Sequence, residues 1–201
     1  MTSCMRTLIG LTVLVAVFAG TLLAQDADAP MVDNPQYANW SSFEVGAMAK
    51  MKMTVESMGM QVAEMVITQT LTSLDANMAV VSMQTTMSIN GTEMAQPATD
   101  IQIPAKVPVS AAEQPDENVE TDIQAEEGQQ TVEVPAGKFD CKFVKTTMIT
   151  TVDGQKQTNV STVWTSDQVP GGQVKMISVS QGDMNEQTTR SELIDYSTGS
   201  E

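Results

Sequence analysis

Methionine offers the most chemistry in this chain. There are 16 among 201 residues, and all but Met1 and Met5 follow Ala24. Met51-Lys52-Met53 and Met58-Gly59-Met60 have Met-x-Met spacing, and thioethers prefer soft ions such as copper(I). Little beside them reinforces a metal or a catalytic group. The chain has no histidine, which removes the commonest metal ligand and the commonest general base. Serine and threonine are plentiful, but without histidine no ordinary triad forms. Carboxylates could still pair in space as they do in glycosidases, yet no pair is marked out. Seven acids and no base fall within 113–127, without the ligand order and central glycine of a calcium loop. That run reads as a solvated acidic loop or short helix, with a weak cation site or a docking surface for a basic partner as the sharper alternative. No enzyme, cofactor or metal is expected.

The elements that must position these side chains are strands. In 47–90, Ala49, Met51, Met53 and Val55 alternate with Lys50, Lys52, Thr54 and Glu56, the period of a strand with one buried face. After a turn around Gly59, Ala63, Met65, Ile67, Gln69 and Leu71 share one face. After Asp75-Ala76-Asn77, Val81, Met83, Met87 and Ile89 do the same, and Asn90-Gly91 signals a hairpin. These strands are about twice the usual five or six residues. Long strands joined by short turns predict one broad, curved antiparallel sheet.

At the N-terminus, Arg6 precedes an apolar run over 8–23, and Leu22-Leu23-Ala24-Gln25 offers a cleavage site after Ala24, the pattern of a secretory signal. Residues 25–39 read as an extended leader, 40–196 as one antiparallel β domain with an irregular acidic insertion at 96–128, and 197–201 as a polar tail. Without Cys4 the exported chain would hold one cysteine, Cys141, so no internal disulfide is possible and a small buried thiol is expected. The formal net charge of −15 disfavours nucleic acid and anionic membrane surfaces as partners. No membrane contact is indicated beyond the signal segment.

The β pattern returns at Gln129. Phe139, Cys141 and Phe143 share one face, Val144, Met148 and Val152 the other, so a bulge or strong bend is expected near Phe143 and Val144. Asp153-Gly154, Pro170-Gly171-Gly172 and Gln181-Gly182-Asp183 read as turns, and 188–196 as the last strand. Eight or nine strands in a meander result.

This second half resembles a known group. Val134-Pro135-Ala136-Gly137-Lys138-Phe139-Asp140-Cys141, Val163-Trp164-Thr165 and Val169-Pro170-Gly171-Gly172-Gln173-Val174-Lys175-Met176 resemble exported bacterial proteins of the lipoprotein-carrier (LolA/LolB-like) superfamily. The resemblance implies a mostly β fold, a single antiparallel sheet curled into an unclosed barrel with few or short helices. In the carriers the concave side binds acyl chains. Here the aromatic-rich lining of those proteins is missing.

Three readings of the methionines stay open. They fill a core poor in aromatics; they line an adaptable apolar cavity; or they bind copper(I). The expectation adopted is a non-enzymatic, periplasmic or secreted module holding an apolar ligand, a lipid or acyl chain. Its candidate cavity residues are Met51, Met53, Met65, Met83, Met87, Phe143 and Trp164. The alternatives are a structural, envelope-associated domain with no small ligand, and copper(I) handling through Met-x-Met.

Overall fold

The computed structural model describes residues 30–89, 92–108, 119–152, 155–182 and 186–199. The expected signal segment, the Asn90-Gly91 and Asp153-Gly154 turns and positions 109–118 lie outside them. The chain begins with β1 (Met31–Asp33) and α1 (Pro35–Trp40), then β2 (Met48–Ser57), β3 (Met60–Leu74) and β4 (Met78–Ile89). Next come β5 (Thr92–Ala95), β6 (Thr99–Pro104) and β7 (Lys106–Pro108). The second half runs β8 (Val119–Val134), β9 (Gly137–Val152), β10 (Gln155–Thr165), β11 (Gln173–Gln181) and β12 (Glu186–Ser197).

Ten of these strands form one antiparallel sheet in the order β5-β4-β3-β2-β12-β11-β10-β9-β8, with β6 also paired to β4. The two halves are hairpin meanders, and they join where the last strand pairs the first long one, β12 on β2. Neither outer edge pairs with the other, so the sheet is mostly β architecture left unclosed. The alternation of 49–55 and 63–71 does set the strands, and Met58 (φ 52°) with Gly59 (φ 76°) closes their two-residue turn, the doubly positive geometry that suits hairpin twist. At the next turn the Asp75 carboxylate accepts from the backbone N–H of Asn77 at 2.8 Å and of Met78 at 3.0 Å.

The buried residues lie towards one end of the strands, where β2 starts and β3 finishes. On the side called here the inner face, Trp40 of α1 packs with Ala47, Leu71, Ala79, Val81 and Ile103. Beside it, Ala49, Met51 and Leu193 pack with Val132, Val134, Phe139 and Cys141 from the tip of the β8–β9 hairpin. That hairpin outruns β10: among the described residues its pairs from Gln130–Cys141 to Val134–Gly137 have no third strand beside them. A two-stranded ribbon twists more than a sheet interior. The tip swings across the inner face, where the Ala136 N–H donates to the Leu193 carbonyl at 3.2 Å and the Phe139 ring meets Tyr196 edge-on at 5.6 Å.

Three expectations need correction. The leader is partly structured: β1 pairs with β7, and Asn34 caps α1, its side chain accepting from the Gln36 N–H at 3.0 Å and donating to the Pro104 carbonyl at 2.8 Å. The described part of the insertion at 96–128 is largely strand. β6 and β7 occupy 99–108 with a break at Ala105, and β8 runs through the acids from Val119 onward. Sixteen residues of β9 provide a full-length partner for it, and pairing overrides the low strand propensity of Glu and Asp. Finally, β9 keeps its register on both sides through Phe143 and Val144. The irregularity lies one strand over, between Trp164 and Thr165 against β11.

Candidate functional site

Directly opposed residues in an antiparallel ladder point to the same side. Following the pairs strand by strand therefore traces rows across the sheet. One row runs Met94, Met87, Met65, Met53, Ser191, Met176, Val163, Val144. It puts four methionines from four adjacent strands in register and a fifth beyond Ser191. Neighbouring strands lie about 4.8 Å apart, so the first four span about 15 Å. Row neighbours are in side-chain contact range, and unbranched thioethers in such a row can lie over one another. Met65 is buried with 4% of its surface exposed, whereas Met94 at one end is 51% exposed. The Gln96 side-chain amide reaches the Met87 sulfur at 3.4 Å.

The adjacent rows share this inner face. Towards the core lie Thr85, Ile67, Met51 and Leu193, and one row further Met83 pairs with Gln69. Away from the core lie Ala63, Val55, Thr189, Ser178, Ser161, Thr146 and Ala125. The outermost row holds Gln187, Ser180, Asn159, Met148 and Ile123. None of these side chains is charged.

The outer face differs. Lys52 lies between Val66 and Glu192, with Lys175 next in the row. This face carries the ion pairs Lys52–Glu64 at 3.0 Å and Lys175–Glu192 at 2.7 Å. The Lys52 ammonium, hydrogen-bonded to Glu64, holds that carboxyl below its ordinary range. Lys145 faces Glu126 at 3.9 Å.

Five of the seven candidate residues, Met51, Met53, Met65, Met83 and Met87, therefore share the inner face. Phe143 and Trp164 do not join that row. They pair with each other on the outer face, a step that register alone reveals. The Phe143 ring covers Gly128 of the edge strand, where a Cβ would stand 2.5 Å from it. Trp164 packs against the hairpin-tip core and donates its indole N–H to Gln130 at 3.1 Å. Met94 and Met176 belong to the row and were not singled out by sequence. Their signal was present as alternation, but only the pairing of β5 with β4 and of β12 with β2 brings them into line. The Met-x-Met pairs differ in setting: Met51 and Met53 share the inner face, one in the core and the other in the row, while Met58 and Met60 are both exposed around the Gly59 turn.

A second concavity is a polar groove of about 430 Å³ beside the hairpin tip, lined by Gln129, Gln130, Thr131, Asp140, Lys142 and Asp167 among others. Thr131 donates to Asp140 at 2.8 Å, and Lys142 lies 3.6 Å from Asp167. Under it Cys141 is buried, and desolvation, with the Asp140 charge second, pushes its thiol pKa up. Such a thiol is a poor nucleophile. Among the described residues no three His, Cys, Asp or Glu side chains gather as a metal site.

No family model matches the chain, and no curated protein matches it in sequence. Two solved structures resemble it in shape. One is a Bacteroides fragilis protein described as exported and as having a YmcC-like fold, at 12% identity, covering 77% of this chain and 97% of that one, with a TM-score of 0.45. The other, from Parabacteroides distasonis, is described as a lipoprotein, at 12% identity, covering 77% and 96%, with a TM-score of 0.46.

Proposed function

We propose that this chain is an exported, non-enzymatic binding module that holds an acyl chain or similar apolar ligand along the methionine row of its inner face. The observation that carries the reading is the row itself, Met94-Met87-Met65-Met53 across four strands. Its side chains are flexible and polarizable, it ends in exposed apolar surface, and it lies beyond the core clusters. Such a surface repacks around chains of varied shape. The apolar run behind Arg6 supports export, and the resemblance of the second-half motifs to lipoprotein carriers points the same way.

The test is uptake of the neutral apolar dye N-phenyl-1-naphthylamine, together with native mass spectrometry of protein taken from its own envelope. Saturable dye uptake, weakened about tenfold or more by Met53→Glu with Met87→Glu, and a co-purifying lipid mass support the reading. A bare mass with no saturable uptake overturns it in favour of a structural domain.

A further inference from the structure

The inner face is divided, and the division says which end of a ligand goes where. On β2–β5 its rows are Met, Val, Ile and Ala with an occasional Thr. On β9–β12 the same rows turn to hydroxyls and amides: Thr189, Ser178, Ser161 and Thr146 in one row, Ser180 and Asn159 in the next. No charge interrupts either part between Met94 and Val144. The first charges stand at the border: Glu127, opposite Val144 on the edge strand, and Lys142, next to Val144 on the same side of β9. This neutrality is not a property of the sheet as a whole. Lys52, Glu64, Glu192, Lys175, Arg190 and Lys145 stand in the outer-face rows on the same strands.

We infer that the ligand is an amphiphile with an uncharged, hydroxyl-bearing head of the sugar or polyol type, its head on the Ser/Thr/Asn part of β9–β12 and its chain along the methionines. The inference rests on the acyl-holding reading above. Among the described residues of these rows the nearest cation is Lys142, one step beyond Val144 on β9 and already 3.6 Å from Asp167, so a carboxylate or phosphate head would find no unpaired cation and would enter the field of a chain with net charge −15. A quaternary ammonium head would find neither a carboxylate short of Glu127 nor an aromatic ring in these rows. Hydroxyl groups suit a polyol because each both donates and accepts. Ser178 donates to Asn159 at 3.4 Å, and Gln157 donates to Ser180 at 3.1 Å. Among the described residues the hydroxyls of Ser161, Thr146 and Thr189 have no side-chain partner.

The experiment displaces bound N-phenyl-1-naphthylamine from the full exported chain with three detergents of equal chain length, each below its micelle concentration. These are dodecyl maltoside, sodium dodecanoate and dodecyltrimethylammonium. Dodecyl maltoside should displace the dye at a concentration about tenfold or more below either charged detergent. Ser161→Ala with Ser178→Ala should abolish that preference and leave dye uptake intact. Equal displacement by all three, or preference for a charged head, overturns the inference while the acyl reading survives. Preference unchanged in the double variant overturns the assigned head position. Absence of dye uptake in the parent overturns the acyl reading, and this inference with it.

Discussion

Met65 and Met94 occupy one row, two strands apart, and differ in what a charge would cost there. Met65 is enclosed by Met53 and Met87 on either side. A carboxylate there would be buried without a partner, so Met65→Glu should destabilise by about 3 kcal/mol or more in urea titration. Met94→Glu, at the exposed end, should change stability by no more than about 0.5 kcal/mol. Equal melting of both variants would place the row in water. Glu64 sits behind this row on the outer face. Its folded pKa is lowered by Lys52, so the pair stabilises above the unfolded carboxylate range, and this is lost as pH falls through the folded value. Both side chains are solvated, so the effect on stability is small. A carboxyl NMR titration should find Glu64 below the ordinary range and Lys52→Met should restore it. At this scale the sequence was informative because period two is a local property. The five methionines could be assigned to one face by counting. Phe143 and Trp164 could not, since their side depends on ladder register across β10–β12, and their aromatic character suggested a core position that a glycine and a hairpin tip in fact supply.

The strand β8 shows how an element can hide in a composition. Its acids suggested a loop, but all sixteen of its residues are paired to β9. The glycine within it is compensated: Phe143 lies over Gly128 and fills the place of its missing side chain, a known remedy for glycine in an edge strand. The two residues should therefore be coupled. With Phe143 present, Gly128→Ala forces the ring aside and should destabilise. In a Phe143→Ala background the same substitution should be neutral or stabilising, because alanine costs less conformational entropy than glycine in a strand. A double-mutant cycle should give about 0.5–1 kcal/mol of coupling, and simple additivity would show that the ring does not protect the edge. The helix α1 was legible in principle. Asn34-Pro35 is an N-cap followed by proline at the first helical position, although Pro30 and Pro35 together also fit an extended stretch. The long strands β2 to β4 were readable outright, because alternation, turn residues and length agreed there.

In the molecule as a whole, the two core clusters sit at one end of the strands and the charge-free rows occupy the rest. Cooperative stability should follow the core. Amides near Leu71, Val81 and Leu193 should exchange slowest with deuterium, and those in the far halves of β10 and β11, around Val160 and Val179, should exchange well before global unfolding. Uniform protection would mean that the far half is as firmly built as the near one. What the sequence could not supply at this scale was the joining of the two meanders through β12 and β2, a pairing between positions some 140 residues apart that no local pattern encodes. One more consequence belongs to β8. Among the described residues its sixteen-residue backbone edge has no partner on one side, with Asp122, Glu126, Glu127 and Glu133 strung along it. Like charges keep two such borders from zipping together, but their reach shrinks from about 10 Å at 0.1 M salt to about 3 Å at 1 M. Concentrated solutions should thus stay clear at low ionic strength and scatter light increasingly as sodium chloride is raised, so the protein's colloidal behaviour is governed by the brine it is kept in.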